Sequence, residues 1–562
     1  MTRTLVTAAH ILAGDAPREG PTAFLVEDGT VTWVGDRAKR PRRKVDQTVE
    51  LADAWVMPGF VDPHFHLSAY AVLPGWVDVS AARTVADLTG KLREGARRAP
   101  EGTWVVGWGF RELVTPFEKR LTRSDLDAAL PDRPCLVVHS SFHSSVANSA
   151  ALARVGFGRW TPRSPGGELE RDRRGEPNGR AWERAHAVLE WAARRTELDV
   201  LGEGWSERVR ATAGQLLAEG LTHVGDAAMS PRERDMAERA QLPIGVTAMT
   251  ASGGGMLGRL DEVLDGPRTG EGTSSFRIGP VKLFADGGER CAMLLSYPVI
   301  LRAFRGLATA NTGLSNPIES LRVLRPRFDS HGVHTGTLHY RGPDLAGAMA
   351  RASSRGFGIA VHAMGNEAIA QVLSAYERAR VYGGRIEHAM FATERDAERM
   401  ARLGVTAVIQ PGHVFSYGVL VAASGLDAYL PPTPARRLVD AGVKVALSSD
   451  GPTALWEPLP IMRLAVERRT EEGLVIRPDQ ALTREEALRA ATVTAAEAAG
   501  VGDEKGQIAP GKQADFVVLT GDPFDAETRV SQTWVSGRKV WGAEGPATTA
   551  EPPGPPDPTS GG

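Results

Sequence analysis

The feature that most constrains this chain is an alternation, through its middle, of short apolar runs with helical patterns. The strand candidates are Val56–Val61, Val224–Asp226, Ile244–Thr250, Gly279–Phe284, Gly358–His362, Arg385–His388, Val405–Gln410 and Val443–Ser448. Helical patterns fall between most of them, as at Leu201–Gly220, Gly342–Gly356, Asn366–Arg380 and Thr393–Leu403. Gly220, Gly356 and Gly404 each stand just ahead of the next strand, where a helix C-cap asks for glycine. Repeated βα units predict a parallel sheet, and eight of them predict an α/β chain built on a (β/α)8 TIM barrel.

The ends read differently. Leu5–Leu12, Thr22–Glu27 and Thr30–Val34 are strand-like, and Asp28-Gly29 between the last two is a hairpin signal. A matching pattern returns at Phe516–Leu519, Thr533–Ser536 and Arg538–Trp541. The expectation is a composite β-sandwich made from 1–56 and 501–545, with the barrel occupying 57–73 and 198–500. Residues 74–197 are too long for one βα loop and hold strand-like runs at Trp104–Gly107 and Cys135–Ser140. They predict an inserted α+β subdomain over the barrel mouth. Residues 297–338, with their glycines, prolines and Asn311, read as a loop-like lid or side wall, and the Pro/Gly/Ser/Thr-rich 546–562 as a disordered tail.

Composition narrows the function classes. Across 562 residues, 66 Lys+Arg stand against 68 Asp+Glu, a net charge of −2 that lacks the footprint of a nucleic-acid binder. The basic run Arg37–Lys44 has no aromatic interleaving and reads as a solvated face. Cys135 and Cys291 form neither a disulfide framework nor a CxxC site, which suits a reducing cytoplasm. The N-terminus lacks a signal-peptide core, and no run of about 18 apolar residues predicts a membrane span. Lysine is scarce, nine residues in all, so a lysine inside an apolar strand is conspicuous.

Such a lysine is Lys282, in Val281-Lys282-Leu283-Phe284. It must be neutralised, snorkel outward, or pair, with Asp286 for instance. Carbamylation by carbon dioxide is one chemical escape, turning the amine into a carboxylate able to bridge cations. His64 and His66 follow the run from Val56 to Val61 with i, i+2 spacing, so both imidazoles can face one ion. His362, His388 and Asp450 each end a further strand candidate. Any of these histidines alone also fits a structural role. Together they line the C-terminal face of a barrel with imidazole and carboxylate, the donors zinc prefers.

The segments PGFVDPHFHL (58–67), VKLFADG (281–287), VHAMGNEAI (361–369), RIEHAM (385–390), QPGHVFS (410–416), SSDGP (448–452) and GQIAPGKQADFVVL (506–519) resemble the amidohydrolase superfamily. The branch they resemble is that of the N-substituted formamide deformylases. The resemblance implies a metal-dependent hydrolase that cleaves a C–N bond of a small N-substituted amide, formamide or cyclic amide with a metal-activated water. It implies zinc, as one or two ions, with His64, His66 and Asp450 at the first. Lys282, carbamylated, would bridge to a second ion at His362 and His388, and Asp450 would carry the proton in a catalytic group with those two histidines. The same site could serve an ester or lactone, or a non-hydrolytic reaction. A catalytically silent binding relative is a further class, which the intact ligand set disfavours.

Two places depart from the branch. Asn366 stands where aspartate is usual, and Glu289-Arg290-Cys291-Ala292 replaces a run of small residues. Candidate pocket residues are Trp108, His143, Asn148, Asp286, Arg290, His413 and Trp456, with Phe110 and Arg111 beside Trp108; an aromatic-lined pocket would favour an apolar nitrogen substituent. The partner expected is a small molecule, with homo-oligomerisation as the superfamily often shows.

Overall fold

A computed structural model of the chain describes residues 2–14, 21–100, 102–113, 117–162, 166–251, 260–309 and 317–542. Asn311 and the 546–562 tail lie outside them. Two parallel arcs of strands occupy the centre. The first comprises β1 (Phe60–Phe65), β2 (Leu221–Met229), β3 (Gly245–Thr250) and β4 (Phe276–Ile278), ordered β4-β3-β2-β1. The second comprises β5 (Val281–Phe284), β6 (Ile359–Ala363), β7 (Arg385–His388), β8 (Thr406–Ile409) and β9 (Val445–Leu447), in chain order.

The stretch around the strand expected at Gly279–Phe284 holds two strands, the expected one from Val281 onward and an unexpected one, β4, just upstream. There β4 pairs β3 while β5 pairs β6, and Pro280, which has no N–H to give a ladder, stands between. The described residues therefore show two arcs and not one continuous closed ladder. Their edges meet where Asp450 N donates to His64 O (2.9 Å) and His66 N to Gly451 O (2.8 Å). Val56–Val61 is likewise two strands: Trp55–Pro58 pairs antiparallel with Phe516–Leu519, and β1 begins after Gly59. A Cβ at Gly59 would collide with the Thr222 side chain, so glycine permits this change of sheet.

At the termini, Arg3–Thr7, Ala23–Glu27, Thr30–Gly35 and Gln47–Glu50 form one sheet. His10–Ile11, Trp55–Pro58, Phe516–Leu519, Val530–Val535 and Arg538–Gly542 form another. Asp28 and Gly29 both have positive φ (48° and 84°), as a tight hairpin turn requires. Val6, Phe24, Val56, Phe516 and Val518 from both ends share one buried cluster.

A separate six-stranded sheet runs from Val77–Asp78 to Pro177–Glu183 and carries Cys135–His139 and Ser144–Ala147. The segment expected to be loop-like is mostly regular. It holds α1 (Tyr297–Thr309), α2 (Pro317–Leu324) and a three-stranded antiparallel sheet of Met293–Leu295, Gly332–Thr335 and Arg327–Asp329. Pro298 and Pro317 open helices instead of breaking them, and Val299, Ile300, Ala303 and Leu307 recur at helical spacing on the buried face of α1. Among the described residues no helix is long and apolar enough to cross a membrane.

Candidate metal and substrate site

Six side chains expected to act together converge: His64 and His66 at the end of β1, Lys282 inside β5, His362 and His388 at the ends of β6 and β7, and Asp450 just beyond β9. His64 Nε2 lies 3.2 Å from Asp450 Oδ1 and 3.5 Å from Lys282 Nζ, and His66 Nε2 lies 2.9 Å from the same Asp450 oxygen. The rings of His362 and His388 have centroids 4.6 Å apart, and those of His64 and His388 5.0 Å. Ligand atoms of His64, His388 and Asp450 lie within 4.8 Å of one another, all three residues buried. The backbone is bent to present two of them, since His388 and Asp450 have φ of 75° and 60°, costly values for residues other than glycine.

Neighbouring groups fix which nitrogen each histidine offers. Glu387 Oε2 holds His64 Nδ1, leaving Nε2 toward the site. Gln410 Oε1 accepts from His388 Nδ1 at 2.8 Å, while Gln410 Nε2 donates to Ser448 Oγ at 2.7 Å, which fixes the amide orientation. His362 Nε2 is buried with no hydrogen-bond partner, its nearest carboxylate oxygen being Asp286 Oδ1 at 3.5 Å. Oriented imidazoles, an orphaned buried nitrogen and a carboxylate are a donor set that fits a divalent metal such as zinc.

Electrostatics separates the roles. Burial works against the charge of Asp450, but hydrogen bonds from His413 (3.2 Å), His64 and His66 hold its carboxyl well below the usual range. Burial lowers Lys282 to about 8, the carboxylates of Glu387 and Asp450 offsetting only part of the penalty. Burial would lower His143 too, yet the Glu183 carboxylate at 2.7 Å raises it.

A cavity of about 190 Å3 opens on His143, His362, His388, His413 and Asp450. Its far walls are apolar: Met293 and Leu295, Ile300 and Leu307 of α1, Val323 of α2, and Phe391 beyond β7. A narrower cavity of about 70 Å3 continues to His64, His66 and Lys282.

The model of the amidohydrolase family matches residues 47–541. The chain belongs to that family. It is 33% identical to the N-substituted formamide deformylase of Arthrobacter pascens, over 95% of this chain and 97% of that protein. It is 25% identical to the protein LONG AFTER FAR-RED 3 of Arabidopsis thaliana, over 96% of this chain and 91% of that protein. An uncharacterized metal-dependent hydrolase from Pyrococcus horikoshii OT3 shares its fold, with a TM-score of 0.69 and 21% identity over 94% of this chain and 99% of that one.

Of the pocket residues expected in this amidohydrolase, His143 and His413 line the cavity and five do not. Asn148 is fully buried and structural: its Oδ1 caps a helix at Ala151 N (2.9 Å) and its Nδ2 donates to Leu130 O and Arg133 O (both 2.7 Å). Asp286 accepts from the backbone of Ala292, Met364 and Gly365, tying loop to helix. Trp456 packs on Phe65 and Tyr70, and Trp108 packs against the main core. Phe110 belongs to the core of the six-stranded sheet, and Arg111 pairs with Glu471. Arg290 faces away from the cavity, whereas its neighbours Glu289 and Cys291 line it. Asn366 clamps Leu294, accepting from its N (2.9 Å) and donating to its O (3.0 Å), a structural use of the departure from aspartate.

Sequence reasoning missed the supporting residues Glu387, Gln410 and Glu183. Glu387 carried a signal, a carboxylate one residue before His388 in a strand buried on both faces. The insert expected over the barrel mouth does bring His143 to the cavity, as expected, and with it Ser141, which was not singled out.

Proposed function

We propose that this amidohydrolase cleaves the C–N bond of a small N-substituted amide, formamide or cyclic amide, adding water to give a carboxylic acid and an amine. The observation that carries the reading is the junction of a buried His64, His388 and Asp450 cluster with a cavity whose remaining walls are apolar. A zinc ion, or another divalent metal, would be held by His64, His388 and Asp450 with His66 beside them. When bound, the metal supplies Lewis acidity and lowers the pKa of water to about 7.

The chain's own groups do the rest. Asp450, kept ionised by three histidines, takes the proton of the attacking water on a carboxylate oxygen and passes it to the leaving nitrogen. His413 and Thr453, whose Oγ1 lies 3.0 Å from Asp450 Oδ2, hold that carboxylate in place. His143, biased toward its protonated form by Glu183, donates to the carbonyl oxygen as charge develops there. The walls of α1, α2 and Met293–Leu295 hold the nitrogen substituent and exclude water. Lys282, with its lowered pKa, carries enough free amine to react with carbon dioxide. The carbamate would add an oxygen donor beside His64 and, with His362, support a second ion. The two strand arcs act here as the wall of one (β/α)8 barrel, and the terminal sheets as its sandwich.

The test is a substrate panel with the metal-loaded enzyme. N-alkyl formamides and acetamides of increasing chain length should be hydrolysed with kcat/KM rising with length, ahead of matched esters. Faster turnover of the esters, or no amine release from any amide, would refute the reading.

A further inference from the structure

The inner face of α1 is apolar and buried, through Val299, Ile300, Ala303 and Leu307, and the last three line the substrate cavity. Its outer face is apolar as well. Tyr297 and Leu301 stand one turn apart on that side, Leu301 with 72% of its surface exposed. A helix with apolar side chains on both faces normally lies between two apolar layers. Here the described residues cover only the inner one.

The exposed apolar surface extends beyond this helix. Phe328, 66% exposed, stacks on Tyr297 with ring centroids 6.4 Å apart. Leu321 on α2 is exposed too, and it shares a surface cavity with Arg171 and Arg327. Arg171 donates to Arg159 O and Thr161 O, both at 2.8 Å, which sets the intervening Trp160 beside the same cavity. Trp160 is 85% exposed. Large apolar side chains gathered on one face of a soluble chain mark a contact surface, where single ones would not.

Arginines stand among these side chains. Arg305 follows Leu301 by one turn on the same side of α1. The guanidinium of Arg159 lies 5.1 Å from the Trp160 ring centroid, and that of Arg302 lies 5.6 Å from the ring of the exposed Tyr429. Arg159, Arg302, Arg305 and Arg327 are all exposed, and among the described residues none of them is ion-paired. The carboxylates nearby are engaged, Asp329 with His334 at 2.9 Å and Glu168 with Arg290 and Arg325. Tryptophan, tyrosine and aliphatic side chains rimmed by arginine suit the boundary between lipid headgroups and acyl chains. They suit a second copy of the chain less well, because a two-fold contact would set these arginines against their own counterparts.

We propose that this face docks on an anionic lipid surface. Trp160, Tyr297, Leu301 and Phe328 enter the headgroup boundary, and Arg159, Arg302, Arg305 and Arg327 meet lipid phosphates. The contact is peripheral and needs no membrane-spanning segment. It places the substrate cavity, lined by the opposite face of α1, one helix away from the lipid.

The test is co-sedimentation of the full chain with sucrose-loaded vesicles, either equimolar phosphatidylcholine and phosphatidylglycerol or phosphatidylcholine alone. The chain should bind the mixed vesicles, and bind phosphatidylcholine alone about tenfold or more weakly. L301E/F328E, which places charge where apolar side chains enter, should weaken binding to the mixed vesicles about tenfold or more. R302Q/R305Q should do the same by removing the attraction to phosphate, so the test does not depend on one variant folding. Both variants should keep the parent's melting temperature. The proposal is overturned if the mixed vesicles do not bind, if phosphatidylcholine alone binds as well, or if folded L301E/F328E or R302Q/R305Q binds as tightly as the parent. A concentration-dependent dimer in sedimentation velocity that L301E/F328E dissociates would give the face to a second copy and overturn it equally.

Discussion

At the scale of single residues, what decides the chemistry is which atom each side chain is made to offer. Asp450 is surrounded by three imidazoles and Thr453, so it is both ionised and aimed. Replacing it by asparagine keeps the size and removes the proton acceptor. Turnover of D450N, measured at saturating metal, should fall by about 10²–10⁴, as for loss of a general base, and its metal affinity should fall as well because Asp450 is a proposed ligand. Glu387 acts one step back, by holding His64 Nδ1. E387Q should lose about 10–100-fold in metal affinity, measured by competition with a chelator, before kcat of the loaded enzyme changes. Lys282 gives a pH signature in the metal-free protein. Its pKa is about 8 folded against 10.5 ordinarily, so the unfolded chain binds more protons between those values. Stability should therefore rise with pH across that window, seen as a rising denaturation midpoint, and K282M should remove that slope.

The clustered residues were legible because each stands in or just after an apolar strand, where a polar side chain needs a purpose. Their partners were not, since the pairing of His64 with Glu387 spans 323 positions and only the folded sheet brings the two together.

At the scale of elements, the wall of the cavity matters more than its polar rim. Ile300 on α1 lines the apolar part of the cavity, whose other wall is the cluster of His362, His388 and Asp450. Ile300→Trp should shorten the chamber, raising KM about tenfold for amides with long nitrogen substituents and leaving methyl or ethyl amides unchanged. A uniform fall in kcat for all chain lengths would mean that α1 serves the reaction itself. This wall was poorly legible in the sequence. Prolines and glycines between 297 and 338 imitate a loop, and only the spacing of Val299, Ile300, Ala303 and Leu307 betrays a helix with one buried face. The βα alternation was easier to see, because apolar strands buried on both faces leave a strong signal. The break at Pro280, which passes the chain from one arc to the next, is written in a single residue.

At the scale of the whole molecule, the two chain ends and the site are mechanically one. Phe516–Leu519 pairs with Trp55–Pro58, and the chain then passes through Gly59 into the strand that carries His64. Phe516 is buried, edge-on to Phe24 and stacked on Trp534. Phe516→Ala should cost about 3–5 kcal/mol of stability, read by chemical denaturation, while kcat at low temperature stays near the parent value. The pairing of the ends was suggested by the matching β patterns. Their order within the two sheets was not, because strand neighbours depend on long-range register.

The central claim, a metal-dependent hydrolase of apolar N-substituted amides, is tested most directly by following amine release from an N-alkyl formamide as the metal is removed and restored. The account predicts amine and formate in equal amounts, activity lost on chelation, and recovery on adding about one or two equivalents of zinc per chain. Undiminished amine release from fully metal-free protein would contradict it.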